Sequence, residues 1–253
     1  MKITENRDES EVKQGLILAA GRGTRLGDIT AEKPKPLVEI KGKPLLEWIL
    51  KGFRTAGIER TVVVIGYEGE KIVERFGEGE EFDMKIDYVE QDLDSYGTAA
   101  ALSQARSALR DSPFVLSYGD VITSYANYER LIARYRVKRY PVILLSWNEK
   151  ISQGGLVHHD LRRYIEKIEE KPDVEGGGWN SAGVFVLTPE IFHWLDEVEK
   201  SERDEYELPD AVNLMLKNGG HMMGCWAAGL WRDVGRKQDI EWLEKRLEET
   251  SSI

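Results

Sequence analysis

Residues 15–40 read GLILAAGRGTRLGDITAEKPKPLVEI, an apolar run followed by a segment rich in glycine and cationic residues. The apolar run, residues 14–20, is short and is followed by glycines, which predicts a buried β-strand rather than a helix. A loop after such a strand collects backbone N–H groups, and glycines let phosphate oxygens approach them closely. The stretch therefore predicts a phosphate-binding loop, with an ordinary solvated turn as the alternative.

The glycine spacing excludes two common phosphate-binding motifs. The dinucleotide motif G-x-G-x-x-G needs a third glycine where Leu26 stands, and Gly27 comes one position late. The P-loop motif needs a Lys-Ser or Lys-Thr pair after its glycines, and none follows here. Cations add local positive charge to this segment, namely Arg22, Arg25, Lys33 and Lys35.

Predicted strands and helices alternate from residue 14 to residue 120. Apolar runs predict further strands, and helical spacing predicts the segments between them: strands at 60–66, 84–91 and 112–120, helices at 44–58, 71–77 and 98–109. This alternation favours a mainly parallel sheet covered on both faces, with ligands at the carboxyl ends of its strands.

After Tyr140 the pattern changes to antiparallel strands that we expect to extend the same sheet. The predicted elements are strands at 141–147, 154–172, 180–189 and 221–229, helices beginning near Pro189 and Leu208, and a closing helix at 237–249. We expect an α/β fold, a Rossmann-like three-layer sandwich with a mainly parallel mixed sheet. It forms a single domain at residues 14–253 after a flexible extension at residues 1–13.

Composition bounds the function. A formal charge of −10 over 253 residues argues against a general surface for nucleic acid or anionic membrane. The single cysteine, Cys225, excludes an internal disulfide and a multi-cysteine metal site. No apolar run approaches the roughly 20 residues of a membrane span, and the polar start is unlike a signal peptide. We expect a cytoplasmic protein; a homo-oligomer is compatible with the sequence, which leaves the oligomeric state open.

Residues 16–48 resemble the N-terminal motif of the sugar-1-phosphate nucleotidylyltransferases, L-A-[AG]-G-x-G-[ST]-R-L followed by P-K-P-L. Later segments resemble that family's pattern in the same order: QDLDSYGTAAAL (91–102), VLSYGDVI (115–122), IEKIEEKP (165–172), NSAGVFVLTPEIF (180–192) and WRDVGRKQDIEW (231–242). The resemblance covers roughly residues 14–243. The chain stops after one further helix, so no C-terminal β-helix is expected.

The resemblance implies that the phosphate of a sugar 1-phosphate attacks the α-phosphorus of a nucleoside triphosphate, giving an NDP-sugar and pyrophosphate. Joining two polyanions calls for positioned cations and a metal rather than a general base. Arg25 would bind the β- and γ-phosphates, Lys35 would stabilise the transition state, and Asp120 and Asp233 would hold Mg²⁺. The implied nucleotide-binding residues are Ala19, Ala20, Gly21, Gly23, Thr24, Gln91, Gly97 and Thr98.

On the sugar side, the resemblance implies that Lys171 pairs with the sugar phosphate and that Glu170 accepts hydrogen bonds from sugar hydroxyls. Gly155 would let the ring approach the backbone. Ser181 stands where the family's asparagine is usual, and Asn180 comes one place earlier. Because a one-residue shift turns a strand side chain to the opposite face, Asn180 cannot simply inherit the sugar-binding role.

The substrates are less sharply defined than the reaction. A glutamine amide at residue 91 suits the edge of uracil or thymine, which favours UTP or dTTP. Two alternatives stay open: a cytidylyltransferase acting on inositol phosphate or another phosphorylated alcohol, and a catalytically silent regulator that binds sugar nucleotides.

Overall fold

The computed structural model describes residues 11–21, 23–31, 33–92 and 94–249, so residues 1–10 of the predicted extension lie outside the described part. The strands of the first half are β1 (Gln14–Leu18), β2 (Glu39–Ile40), β3 (Lys43–Pro44), β4 (Arg60–Ile65), β5 (Lys85–Glu90), β6 (Phe114–Tyr118) and β7 (Val121–Thr123). Those of the second half are β8 (Val142–Asn148), β9 (Gly155–His159), β10 (Ile165–Glu170), β11 (Gly178–Leu187), β12 (Met223–Trp226) and β13 (Trp231–Asp233).

Nine of these strands form one mixed sheet whose order places the carboxyl ends of β1 and β6 side by side. The order is β10-β9-β11-β6-β1-β4-β5, with β8 pairing β11 and β12. β1 runs parallel to both β4 and β6, whereas β11 is antiparallel to β6. The chain passes from β1 outward to β5 and then returns to β6 on the other side of β1. The loops after β1 and β6 therefore diverge and open a crevice at the topological switch point.

Helices cover both faces of this sheet. They are α1 (Leu45–Thr55), α2 (Gly69–Phe76), α3 (Thr98–Gln104), α4 (Ala126–Lys138), α5 (Ile191–Leu195), α6 (Leu208–Lys217) and α7 (Lys237–Glu249). Neighbouring residues of β1 belong to different cores, because Ile17 packs with α1 and α4 while Leu16 packs with α3 and α6. This alternation makes a three-layer sandwich. Within the described ranges, no helix has both the length and the apolar composition that crossing a bilayer requires.

Helix α1 illustrates how the sequence pattern produces a buried layer. Leu46, Ile49, Leu50 and Phe53 follow the i, i+3, i+4, i+7 spacing of one helix face, and each is at most 1% exposed. Burial of such a side chain contributes about 1.5–3 kcal/mol relative to exposure. The helix ends at Thr55, three residues before the predicted end, and Gly57 just beyond it takes the left-handed φ of 83° that closes a helix.

Several features of the fold were not predicted. They include the short pair of strands β2 and β3 and the helix α4 at residues 126–138. The short strands β7 and β13 pair antiparallel, with Asp233 opposite Val121. This small ladder brings a residue near the end of the chain to the carboxyl end of β6 and so helps to build the site.

Candidate active site

The glycine loop leaves β1 at the crevice and continues into a 3-10 turn at Thr24–Thr30. Gly23 has a φ of 67°, and a Cβ on it would come within 2.8 Å of the Lys35 Cβ. The Thr30 hydroxyl donates to the Gly23 carbonyl at 3.0 Å. At Gly21, by contrast, nothing among the described atoms beyond its chain neighbours lies within 4 Å of an added Cβ. The loop is thus fixed on one side and open on the other, which suits an anion approaching backbone N–H groups.

Ala19 and Ala20 form the base of this loop. The Ala19 N–H donates to the Val64 carbonyl at 2.8 Å, so the loop begins directly on the sheet. The Ala20 carbonyl lies 2.7 Å from the position that a Cβ on Gly66 would take. A larger residue at 66 would therefore push the loops after β1 and β4 apart.

Lys35 lies under the glycine loop and reaches across to the end of β6. Its Nζ lies 2.6 Å from the Asp120 Oδ2, and the lysine residue is only 8% exposed. An ion pair in so sheltered a position has a fixed geometry, because both partners are partly desolvated. Two residues that the sequence assigns to catalysis and to metal binding are therefore in direct contact.

Asp233 reaches the same place from β13. The Val234 N–H donates to the Asp120 carbonyl at 2.9 Å, which fixes the two aspartates on adjacent strands. Desolvation and then the charge of Asp120 raise the pKa of Asp233 to about 7, although Lys35 and Arg25 oppose the shift. Lys35, Asp120 and Asp233 therefore meet at the strand ends, and the Arg25 guanidinium borders the turn at Gly235, two residues after Asp233, so the four charged groups form one cluster.

The loop after β13 is held by Asp239, the last residue of the segment GRKQD. The Asp239 carboxylate accepts the N–H groups of Gly235 and Arg236 at 3.0 and 2.7 Å. It also pairs with the Arg232 guanidinium at 2.6 Å. A Cβ on Gly235 would lie 3.7 Å from the Arg25 guanidinium, so this turn also borders the glycine loop.

The two aspartates fit a divalent cation. Burial and then repulsion by Asp120 raise the pKa of Asp233, and a bound cation would neutralise both carboxylates. In the described part of the chain, no group of three or more His, Cys, Asp or Glu side chains could hold a metal ion. Mg²⁺ is usually bound by one or two carboxylates together with substrate phosphates, so two are enough for that type of site.

The predicted base-reading residues lie at the end of β5. Gln91 is buried, and its backbone N–H donates to the Ile65 carbonyl at 2.8 Å. Its side-chain amide makes only long contacts, 3.4 Å to the Ser95 carbonyl and 3.5 Å to that of Gly97. Gln91 therefore lies against the loop that carries Gly97 and Thr98.

Gly155, Glu170 and Ser181 lie together on one face of the outer strands. Glu170 is opposite Gly155 in the antiparallel pair of β9 and β10. A Cβ on Gly155 would come within 3.0 Å of the Glu170 carboxylate and 3.4 Å of the Ser181 Cβ. Lys171 follows at once, with its backbone N–H donating to the Gly154 carbonyl at 2.8 Å. The glycine keeps open a space bordered by a carboxylate and a hydroxyl.

Asn180, the other candidate for sugar binding, does not belong to that space, in line with the expectation that it cannot simply inherit the sugar-binding role. It is only 5% exposed and lies on the opposite face of β11 from Ser181. Its Oδ1 accepts the Gly155 N–H at 2.9 Å, and its Nδ2 donates to the Ser181 carbonyl at 2.8 Å. Asn180 therefore holds the backbone of two site residues from behind.

Arg203 is a further cation beside the sugar-side residues that sequence reasoning missed. Its guanidinium pairs with Glu207 and lies 3.9 Å from the Glu170 carboxylate. Desolvation and then the nearby Glu207 raise the pKa of Glu170, whereas Arg203 and Lys171 act in the opposite direction. Arg203 lies in the acidic segment SERDEYE, where its i,i+4 spacing to Glu207 suggests only a surface ion pair.

We expect Gly155→Ala to raise the KM for the sugar phosphate about tenfold and to leave the KM for the nucleotide nearly unchanged. The added methyl group would crowd the Glu170 carboxylate and fill the space above β9. Steady-state kinetics with each substrate varied in turn checks this, and a thermal melt verifies the fold. An unchanged sugar-phosphate KM would show that Gly155 does not border the bound sugar.

A cavity of about 610 Å³ lies between the end of β8 and α7, and its lining includes Ser146, Trp147 and Trp242. None of the predicted site residues lines it. The candidate active site is therefore identified by its charged groups at the strand ends rather than by this cavity.

Comparison with known proteins decides the family. The model of the nucleotidyl transferase family matches residues 14–250. The chain therefore belongs to the nucleotidyl transferase family. It is 33% identical to the UTP–glucose-1-phosphate uridylyltransferase AglF of Haloferax volcanii, over 94% of this chain and 98% of that protein. It is 31% identical to a glucose-1-phosphate thymidylyltransferase of Streptomyces antibioticus, over 94% of this chain and 69% of that protein.

Solved structures agree with this assignment. A protein assigned as a glucose-1-phosphate thymidylyltransferase of Bacillus anthracis superposes with a TM-score of 0.85 at 25% identity, covering 94% of this nucleotidyltransferase and 96% of that chain. The chain spans about half the length of the bifunctional relatives that it also matches. The predicted family, α/β fold and enzyme class are confirmed, and the relatives' named activities agree with the predicted sugar-1-phosphate nucleotidyl transfer.

Proposed function

We propose that this nucleotidyltransferase transfers a uridylyl or thymidylyl group from UTP or dTTP to a sugar 1-phosphate, with release of pyrophosphate. Glucose 1-phosphate is the first acceptor to test, because two similar relatives are named for it. The observation that carries the proposal is the cluster of Arg25, Lys35, Asp120 and Asp233 at the strand ends.

Each member of the cluster has a distinct proposed role. Arg25 binds the β- and γ-phosphates, the leaving group, since a guanidinium matches phosphate oxygens well. Lys35 stabilises the charge that develops at the α-phosphate. Asp120 and Asp233 hold Mg²⁺, which supplies Lewis-acid stabilisation of the phosphates when bound. No general base is required, because the attacking phosphate is already an anion.

The sugar side supports acceptor binding next to this cluster. Burial and then the nearby charge of Glu170 raise the pKa of Tyr118, which lies two residues before Asp120. Glu170 and Ser181 offer acceptor and donor groups for sugar hydroxyls, and Lys171 offers the cation for the sugar phosphate. A neutral polyol carrying one phosphate therefore fits the proposed acceptor.

The test is pyrophosphate release by the purified protein with Mg²⁺ and UTP, dTTP, CTP, GTP or ATP, each against a panel of acceptors. The panel contains several sugar 1-phosphates together with inositol phosphate and phosphocholine. We expect the highest kcat/KM with UTP or dTTP and a hexose 1-phosphate. Preference for CTP with a non-sugar acceptor would support the cytidylyltransferase alternative, and nucleotide binding without turnover would support the regulator.

Lys171→Ala should mainly weaken the use of the sugar phosphate. We expect a rise of about tenfold or more in its KM, because a charge-assisted contact to phosphate contributes about 1.5–3 kcal/mol. Lys167→Ala, on strand β10 just before Lys171, is a matched control, since Lys167 pairs with Glu169 rather than bordering Gly155. A selective loss of nucleotide affinity in Lys171→Ala would show that Lys171 is wrongly assigned to the sugar phosphate and belongs to the nucleotide-binding part of the site.

A further inference from the structure

The loop that carries Gly97 and Thr98 is held by backbone hydrogen bonds to Tyr206, in the segment just before α6. The Tyr206 N–H donates to the Tyr96 carbonyl, and the Ala99 N–H donates to the Tyr206 carbonyl, both at 2.9 Å. A Cβ on Gly97 would come within 2.2 Å of the Tyr206 carbonyl oxygen, so the two backbones approach as closely as a glycine permits.

Thr98 adds a side-chain bond at the centre of this contact. Its hydroxyl accepts the Leu208 N–H at 2.9 Å, which is the first backbone donor of α6. Such a donor has no partner within its own helix, so a residue distant in sequence completes the helix end. The Thr98 side chain also lies beside the Tyr118 hydroxyl, where it opposes the rise in the pKa of Tyr118 that burial causes.

These contacts connect three parts of the proposed site through one side chain. Thr98 begins α3 behind the predicted base-reading residues, and Tyr118 ends the strand that leads to Asp120. Leu208 follows Glu207, whose carboxylate binds Arg203 beside Glu170.

We infer that Thr98 is a positioning residue that couples the nucleotide loop to the sugar-phosphate side of the site. This inference rests on the proposed function and deepens it. When a nucleotide orders the 96–99 loop, the Thr98 hydroxyl holds the start of α6, so Glu207 and Arg203 stay in place beside Glu170. The coupling is reciprocal, because any free energy that links two binding sites acts equally on both ligands.

The kinetic test compares Thr98→Val, which keeps the side-chain shape, with Thr98→Ser, which keeps the hydroxyl. Thr98→Val leaves the Leu208 donor without its acceptor, and we expect the KM for glucose 1-phosphate to rise about tenfold. The Kd for UTP or dTTP in the absence of acceptor should change by less than about threefold, because no second ligand is then present to be coupled, and Thr98→Ser should stay within about twofold of wild type. A tenfold rise in that Kd, an unchanged KM for glucose 1-phosphate, or failure of serine to restore the wild-type values would overturn the inference.

Hydrogen–deuterium exchange gives a readout that does not depend on turnover. On addition of UTP or dTTP alone, wild type should gain protection at residues 96–100 and also at residues 203–210, whereas Thr98→Val should gain it only at 96–100. Absence of protection at 203–210 in wild type, or its persistence in Thr98→Val, contradicts the coupling. Should Thr98→Val not fold, Tyr118→Phe removes the hydroxyl that lies beside Thr98. We then expect a smaller rise in the KM for glucose 1-phosphate and weaker protection at 203–210, and an unaltered KM and exchange profile overturns the inference. Failure of wild type to turn over any substrate pair contradicts the proposed function instead.

Discussion

Asp233→Asn should lose about 10²–10³-fold in kcat and still fold as stably as wild type. The substitution keeps the size of the side chain and removes the negative charge that we assign to the metal. Folding should not suffer, because Asp233 and Asp120 repel each other, which contributes to the raised pKa of Asp233. Relief of that repulsion makes a melting temperature equal to or above that of wild type the expected result.

The measurement pairs kcat at saturating substrates with a thermal melt on the same preparation. Asp111→Asn is the matched control, since Asp111 is an exposed aspartate in the turn before β6. We expect the control to keep wild-type activity. A kcat near the wild-type value in Asp233→Asn would remove this residue from the proposed metal site.

Lys35→Met should reduce kcat by a similar factor, about 10²–10³, for a different reason. Methionine keeps the apolar stem that packs against Gly23, so the glycine loop should stay in place. What is lost is the cation 2.6 Å from Asp120, which we assign to charge stabilisation at the α-phosphate. Turnover should therefore fall more than the affinity for either substrate.

The Mg²⁺ dependence separates this explanation from a general loss of structure. Lys35 neutralises part of the charge of Asp120, so its removal should lower the Mg²⁺ concentration that gives half of the maximal rate. Lys33→Met, two residues away in the same segment, should change neither quantity by more than about twofold. Lys35→Met with near-wild-type kcat, or with weaker Mg²⁺ dependence, would contradict the assigned role.

The sequence was most informative where the chemistry is local. The glycine loop, Lys35 and the strand-end position of Asp120 lie in short segments whose spacing restricts their structure. The strand rule also predicted that Asn180 would face away from Ser181, and the buried position of Asn180 confirms it. Successive side chains of a strand point to opposite faces, so the sequence also indicates which residues of β9, β10 and β11 share the face of the site.

Contacts between distant segments could not be predicted from one sequence. The β7–β13 ladder has three residues on each strand and joins segments more than 100 residues apart, so no local pattern specifies it. The bond from Thr98 to Leu208 likewise depends on tertiary packing rather than on sequence spacing. Helix α4 carries several arginines and tyrosines, so its apolar face stands out less clearly than that of α1.

The most direct test of the account is a ³¹P nuclear magnetic resonance spectrum of one reaction containing the wild-type protein, Mg²⁺, UTP or dTTP, and glucose 1-phosphate. We predict that pyrophosphate and the diphosphate bridge of an NDP-sugar appear in equal amounts, while the signals of both substrates decline together. The same reaction with Asp233→Asn should stay unchanged over that time. Hydrolysis of the nucleotide without loss of the sugar phosphate, or no change with any of the sugar 1-phosphates tested, would contradict nucleotidyl transfer to a sugar 1-phosphate by this site.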